Sequence, residues 1–205
     1  VNPNGVLITP TAQVNVGALA ASTLNLSTDD FMSGNYRFSG SSSAGIRNQG
    51  DIRVGTGGSV ALIAARIENT GSITAPQGSV LMGAGSKVRL DLGGPVKIEV
   101  EEGALNTLIE QGGAIRADGG LVYLTAKAAG GLASSVINHT GITEARSLAT
   151  GEKGEILLMG DMAHGSVQVG GTLSATAPAG APGGFIETSA HQVKVTEGAQ
   201  VRAGH

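Results

Sequence analysis

Histidine side chains are the first candidates for chemistry in this sequence of 205 residues. The four histidines are His139, His164, His191 and His205, and their spacings give neither an HxH nor an HExxH pair. A zinc site needs three or four converging ligands, and short spacings of that kind commonly supply two of them. We therefore predict no metal site.

Acidic residues form one cluster, Glu99, Glu101 and Glu102, that could hold a general acid–base pair or a calcium ion. In the segment KIEVE, Glu99 and Glu101 alternate with apolar residues, so in a strand both would face outward beside Lys97. A solvated charged face is favoured over either chemical role. Asp29 and the aspartate that follows it are better suited to starting a turn or capping a helix.

Glycine-rich segments could bind phosphate or support a nucleophile, but none has the required context. GTGGSV at Gly55 lacks the lysine of a phosphate-binding loop and precedes a strand-like run rather than a helix. No GxSxG nucleophile elbow and no repeated GGxGxD calcium motif is present. These patterns predict a protein that is not an enzyme and has no cofactor.

Ligand binding or glycosylation at the surface is the remaining chemical role for these side chains. Phe31, Tyr36 and Phe38 are three of the five aromatic residues and could stack on sugars, although anchoring an inserted hairpin is favoured. Asn25 and Asn138 each begin an N-x-S/T pattern and are therefore candidate glycosylation sites.

A repeated heptapeptide indicates the elements that position these residues. It reads IRNQGDI at Ile46–Ile52, IENTGSI at Ile67–Ile73 and IEQGGAI at Ile109–Ile115. The first spacing is about 21 residues and the second about 42, which we interpret as two periods. A glycine followed by an apolar run, as in GSVAL from Gly58 and GSVLM from Gly78, follows most copies. Units this small cannot bury a face alone, so the copies must stack.

The expected fold is all-β: a right-handed parallel β-helix, a solenoid of about 21 residues per rung, with a few extruded loops or hairpins. At roughly 4.8 Å per rung, nine or ten rungs would give a rod about 45 Å long. The sequence favours one unit, 1–205, whose opening inside a turn-rich pattern resembles the middle of a longer chain. Three segments break the pattern and are predicted to leave the coil: 27–44, 101–111 and 126–136, of which 101–111 could form a helical turn. The segment Val88–Val100 keeps the alternation and is predicted to be a rung.

Two kinds of residue are expected to shape the corners of each rung. Glycine tolerates a positive φ angle, and asparagine is the next most tolerant residue. Amide side chains placed one above another can also exchange hydrogen bonds along the axis. The predicted turn and ladder residues are Asn48, Gly50, Asn69, Gly71, Gln111 and Gly113.

The composition limits the classes of binding partner that are expected for this protein. The formal net charge is −3, which removes the electrostatic attraction that drives generic binding to nucleic acids or anionic membranes. No apolar run is long enough to cross a bilayer, so membrane insertion is not expected. Cysteine is absent, so stacked ladders rather than disulfides must supply the stability.

The order of the motifs resembles the secretion domain of filamentous-haemagglutinin-type exoproteins of bacterial two-partner secretion. The family's NPNG segment matches Asn2, Pro3, Asn4 and Gly5, and its VxVGxLxAST stretch matches Val14–Thr23. The rungs and GGFIETSAHQVKV (Gly183–Val195) resemble the family as well. The family's signal peptide and earlier NPNL-type motif are not in this sequence, so the resemblance implies that this unit is a fragment of a larger exoprotein.

The resemblance implies a secreted or outer-membrane-associated, surface-exposed adhesin or haemagglutinin segment that contributes to attachment or biofilm. Its export partner would be an Omp85-type (TpsB) outer-membrane transporter, with Asn2–Gly5 in the region that the transporter recognises. The host-cell or matrix receptor is not identified by the sequence. Two alternatives stay open: a β-helical polysaccharide-acting enzyme, and the structural shaft of a contact-dependent toxin exoprotein.

Overall fold

Short apolar runs separated by glycine-rich turns fold into strands of three to six residues, because each run is too short for a longer element. The computed structural model describes residues 1–205. The chain winds through three parallel sheets in turn, so that each circuit is one rung of a parallel β-helix.

Sheet A contains seven strands, in spatial order β1 (Val6–Ile8), β5 (Gly45–Asn48), β8 (Arg66–Asn69), β13 (Thr107–Gln111), β16 (Ser135–His139), β19 (Gly165–Val169) and β22 (Gln192–Val195). Sheet B contains β2 (Gln13–Val16), β6 (Asp51–Val54), β9 (Ser72–Thr74), β14 (Ala114–Arg116), β17 (Ile142–Glu144), β20 (Thr172–Ser174) and β23 (Gln200–Arg202). Sheet C contains six strands: β3 (Leu19–Ser22), β7 (Ser59–Ala64), β10 (Ser79–Ala84), β15 (Leu121–Ala126), β18 (Glu155–Met159) and β21 (Phe185–Ser189).

The repeat sets the register between rungs. Ile46 lies opposite Ile67, which lies opposite Ile109, and Ile109 lies opposite Ile137. All four side chains are fully buried in one aliphatic cluster that runs along the axis. Because a slip of one residue would turn this column toward solvent, burial of the isoleucines fixes the pairing. The predicted parallel β-helix is confirmed.

The rungs are fewer and longer than the sequence suggested. Sheets A and B each have seven strands, which gives a rod about 30 Å long at ~4.8 Å per rung. The spacing of 21 residues holds between Asn48 and Asn69. The spacing of 42 residues, from Asn69 to Gln111, is a single step because β8 pairs directly with β13. Interpreting it as two periods was wrong.

An outer sheet explains why the segment Val88–Val100 adds no rung to the coil. Strands β4 (Tyr36–Ser39), β11 (Lys87–Leu90) and β12 (Ile98–Glu102) form an antiparallel sheet outside the coil. Val88–Val100 is therefore a hairpin and not a rung. Its apolar side chains pack with Phe38 over the outward-facing Ile63 and Leu81 of sheet C. Strands β7 and β10 of sheet C are consequently covered on both faces.

The three predicted excursions differ in outcome. In 27–44, helix α1 (Thr28–Met32) and β4 both lie outside the coil, which resumes at Gly45. In 101–111, Thr107–Gln111 is instead strand β13 of sheet A, so a helical turn there was wrong. Pairing with two neighbouring strands overrides the helix-forming tendency of that segment. In 126–136, only 127–134 forms a loop, since Ala126 ends β15 and Ser135 begins β16.

Helix α1 begins at the N-cap Ser27, whose hydroxyl accepts the Asp30 N–H at 3.1 Å. Asp29 and Asp30 occupy its first turn, where negatively charged carboxylates interact favourably with the helix dipole. No helix of the structure has the length and apolar character needed to cross a membrane.

Candidate functional site

The NPNG segment is an exposed turn at the first rung. The Gly5 N–H donates to the Asn2 carbonyl at 3.1 Å, and the Asn4 N–H donates to Asn2 Oδ1 at 3.0 Å. Proline suits the second position of such a turn, and Gly5 has a φ of 113°, a value that L-residues rarely adopt. Asn2 to Asn4 are exposed, so their side chains are presented to solvent.

Two contacts hold this turn against the rest of the chain. The Asn2 N–H donates to the Ser22 carbonyl at 2.9 Å, at the end of β3. The Ser42 hydroxyl donates to the Pro3 carbonyl at 2.6 Å and accepts the Ala44 N–H at 3.2 Å. The segment that returns from the outer sheet therefore fixes the turn, and a shallow groove separates them.

The predicted amide side chains form a buried row at the corner between sheets A and B. Asn48 Nδ2 donates to Asn69 Oδ1 at 2.9 Å, and Asn69 Nδ2 donates to Gln111 Oε1 at 2.7 Å. All three residues are fully buried. Buried amides with satisfied partners favour one register, because a slip would leave their polar groups without partners.

The row continues through residues of other types. Gln111 Nε2 donates to Thr143 Oγ1 at 3.3 Å, and Thr143 Oγ1 lies 2.8 Å from His139 Nε2. His139 Nδ1 lies 2.8 Å from the Gly170 carbonyl, which can only accept. Nδ1 therefore carries the proton, Nε2 accepts from Thr143, and every bond of the row points the same way along the axis.

His139 is fully buried, and burial lowers its pKa, although its bond to the Gly170 carbonyl opposes the change. The imidazole is consequently held neutral, as its place in the row requires. A charged ring would donate from both nitrogens and leave the Thr143 hydroxyl without its acceptor.

Thr143 is a residue of the row that sequence reasoning missed. It occupies the column of Ile115 and Leu173 and is fully buried, whereas Ile142 faces outward and is 49% exposed. A threonine in an otherwise aliphatic column, four residues after a histidine at the asparagine position, was the available signal.

The corner glycines serve a different purpose from the predicted one. Gly50, Gly71 and Gly113 have no positive φ. A Cβ on Gly71 would lie less than 3.0 Å from the Gly50 carbonyl oxygen, and one on Gly113 would meet the Gly71 oxygen in the same way. The rungs approach each other too closely here for any side chain.

The acidic cluster lies on the outer sheet, in ion pairs. Glu99 lies 2.9 Å from Arg89, and Glu101 lies 3.1 Å from Arg37. Salt bridges of this exposed kind contribute little to stability. No group of three or more His, Asp or Glu side chains converges in a way that could hold a metal ion.

The aromatic residues and the glycosylation patterns occupy different surroundings. Phe38 is 4% exposed and anchors the outer sheet, while Phe31 lies in α1, with its ring centroid 6.2 Å from that of Tyr36, the first residue of β4. Asn25 is exposed beside the outer sheet, whereas Asn138 lies within β16 and is only partly exposed. Asn25 is therefore the more accessible of the two acceptors.

Comparison with known proteins places this architecture in a family. The TPS secretion domain family matches residues 1–175. In structure the chain is similar to the HMW1 secretion domain from Haemophilus influenzae, with a TM-score of 0.82 and 28% sequence identity. That alignment covers 99% of this chain and 53% of the solved one, so the chain spans about half the length of that structure. No curated protein gave a significant match.

Proposed function

Because the chain belongs to the TPS secretion domain family of two-partner secretion exoproteins, we propose that it directs export of its exoprotein through a TpsB-type transporter of the Omp85 class. The family match over residues 1–175 is the observation that carries this proposal. The exposed NPNG turn supports Asn2–Gly5 as part of the region that the transporter recognises.

The stacked rungs suggest how folding could assist export. Nearly all contacts join neighbouring rungs, so a chain that emerges from the transporter can fold one rung at a time. Each new rung buries its inward column and closes its amide bonds on the rung before it. Folding outside the membrane would then oppose backward movement without ATP.

Replacement of the turn asparagines tests the proposal. Asn2→Ala and Asn4→Ala in the intact exoprotein, co-expressed with its transporter, should lower the amount exported. Asn15→Ala is the matched control, because Asn15 is exposed in β2 of the same rung and makes no side-chain hydrogen bond within the chain. Export of both turn variants at the wild-type level would refute a role of the turn in recognition.

We further propose that the exported chain is a non-enzymatic adhesin segment at the bacterial surface, which contributes to attachment or biofilm contacts. Two features support this role: loops leave the coil at successive rungs, where repeat proteins commonly carry binding residues, and the acidic cluster is engaged in ion pairs. Flow cytometry of host cells incubated with the labelled, purified chain tests attachment. Binding no greater than that of a labelled protein of similar size and charge would refute it.

A further inference from the structure

A groove of about 590 Å³ lies where the chain returns from the outer sheet to the coil. One wall is the segment 40–43 and the other is the turn 103–106, with Ala65, Arg66, Ser86 and Ala129 between them. We call it the serine groove. Its volume falls in the range of small-molecule sites.

The walls of the serine groove are held in place. The Gly40 N–H donates to the Ser86 carbonyl at 3.0 Å, and the Ser86 hydroxyl donates to the Gly103 carbonyl at 2.7 Å. Asn106 Oδ1 accepts the Ser134 hydroxyl at 3.0 Å. The groove is therefore formed before any ligand arrives, which reduces the entropy lost on binding.

Arg66 is the only charged side chain that lines the groove. It has no carboxylate within 4.0 Å, whereas the other arginines of sheets A and B, apart from Arg202, form ion pairs. Arg66 is also exposed, so its guanidinium is available to a ligand. A planar guanidinium without a counterion favours a carboxylate, which it can bind with two parallel hydrogen bonds.

The remaining groups of the groove suit a sugar ring. The hydroxyls of Ser41 and Ser43 make no hydrogen bond within the chain, and neither does Asn106 Nδ2, so all three are free to bond with ring hydroxyls. Ala104 and Leu105 supply apolar surface, and Leu105 is 70% exposed. Sugar rings present both hydroxyl edges and apolar C–H faces, so this mixture fits them better than it fits a purely apolar ligand.

We propose that the serine groove binds a carboxylate-bearing saccharide, with the carboxylate on Arg66 and the ring hydroxyls on Ser41, Ser43 and Asn106. The biological role of this site rests on the proposed attachment function. Uronates and sialates share the required chemistry, and the test distinguishes them.

Isothermal titration calorimetry of the purified chain with digalacturonate, sialyllactose and neutral lactose tests the assignment. At least one acidic sugar should bind more tightly than lactose, and Arg66→Gln should weaken that binding at least tenfold. Arg202→Gln is the matched control, because Arg202 also lacks a carboxylate partner but lies at the opposite end of the coil. Circular dichroism verifies that both variants fold.

Two results would overturn the assignment: acidic sugars that bind no better than lactose, or an Arg66→Gln variant with wild-type affinity. Either failure can be separated from failure of the proposed function. If labelled wild-type protein and Arg66→Gln attach equally to cells, attachment stands and the serine groove is not its site. If neither attaches, the attachment proposal itself fails, and the calorimetry still decides whether the groove binds acidic sugars.

Discussion

The amide row gives a quantitative prediction for Asn69→Leu. Leucine has nearly the shape of asparagine, so the substitution removes polar groups without opening a large cavity. Gln111 Oε1 loses its 2.7 Å donor and becomes a buried acceptor without a partner. Asn48 Nδ2 loses its 2.9 Å acceptor but keeps weaker contacts with the Gly50 and Ser72 carbonyls at 3.4 and 3.3 Å.

The expected cost follows from these losses. A buried polar group without a partner costs about 1–3 kcal/mol, and the second broken bond adds about 1 kcal/mol. We therefore expect Asn69→Leu to lower the free energy of unfolding by about 2–4 kcal/mol. Urea denaturation followed by circular dichroism measures the change as a lower midpoint.

Two control variants make this prediction specific. Asn69→Gln should lose less stability than Asn69→Leu, because Gln111 shows that a glutamine fits the same column. Asn15→Leu, on an exposed strand position, should change the free energy of unfolding by no more than about 0.5 kcal/mol. If Asn69→Leu were as stable as the wild type, the row would not stabilise the coil and the reasoning would be wrong.

Three further predictions follow from burial and close approach. Gly113→Ala should lower the free energy of unfolding by about 1–3 kcal/mol, because its Cβ would meet a carbonyl oxygen of the preceding rung. Gly17 has open space around it, so Gly17→Ala should be neutral or slightly stabilising in the same urea titration. Because burial lowers the pKa of His139, the unfolded chain binds a proton at this residue more readily than the folded chain does. The stability that His139 contributes should therefore be complete above the ordinary histidine pKa of about 6.5 and should fall as the pH is lowered below it. His139→Gln should remove this component of the pH profile, and an unchanged profile would contradict it. Phe38→Ala should lower the free energy of unfolding by about 3–5 kcal/mol, because the ring is buried under the outer sheet. Phe31 is exposed, so Phe31→Ala should lower it by less than about 0.5 kcal/mol. Equal effects of the two substitutions in thermal denaturation would refute the assigned packing.

The sequence predicted the coil because its strongest signal was local and repeated. Ile46 and Ile67 begin identical patterns, and burial of one column requires burial of the other. The outer sheet was missed because period-2 alternation is the same in a rung and in a hairpin. A signal for the outer sheet was nevertheless present in the strands of sheet C. The runs Ser59–Ala64 and Ser79–Ala84 are apolar at nearly every position, which is typical of strands covered on both faces.

The residues around the row were only partly predictable, for a physical reason. Asn48, Asn69 and Gln111 occupy matching repeat positions, so their alignment followed from the pattern. Thr143 joins them from sheet B, and its position depends on the sharp corner between the sheets. The glycine columns were predicted at the right places but for the wrong reason, since the distance between rungs cannot be seen in one copy of a repeat.

Cysteine pairs test the register of the coil most directly, because the chain has no cysteine of its own. Arg47 and Glu68 face outward on adjacent strands and lie opposite each other, while Glu110 is one strand further along. A disulfide requires Cα atoms about 4.4–6.8 Å apart, which adjacent rungs satisfy and alternate rungs do not. Under mild oxidation, the double variant Arg47→Cys/Glu68→Cys should therefore cross-link within the monomer, and Arg47→Cys/Glu110→Cys should remain reduced. Cross-linking of the second pair but not the first would contradict the stacked coil.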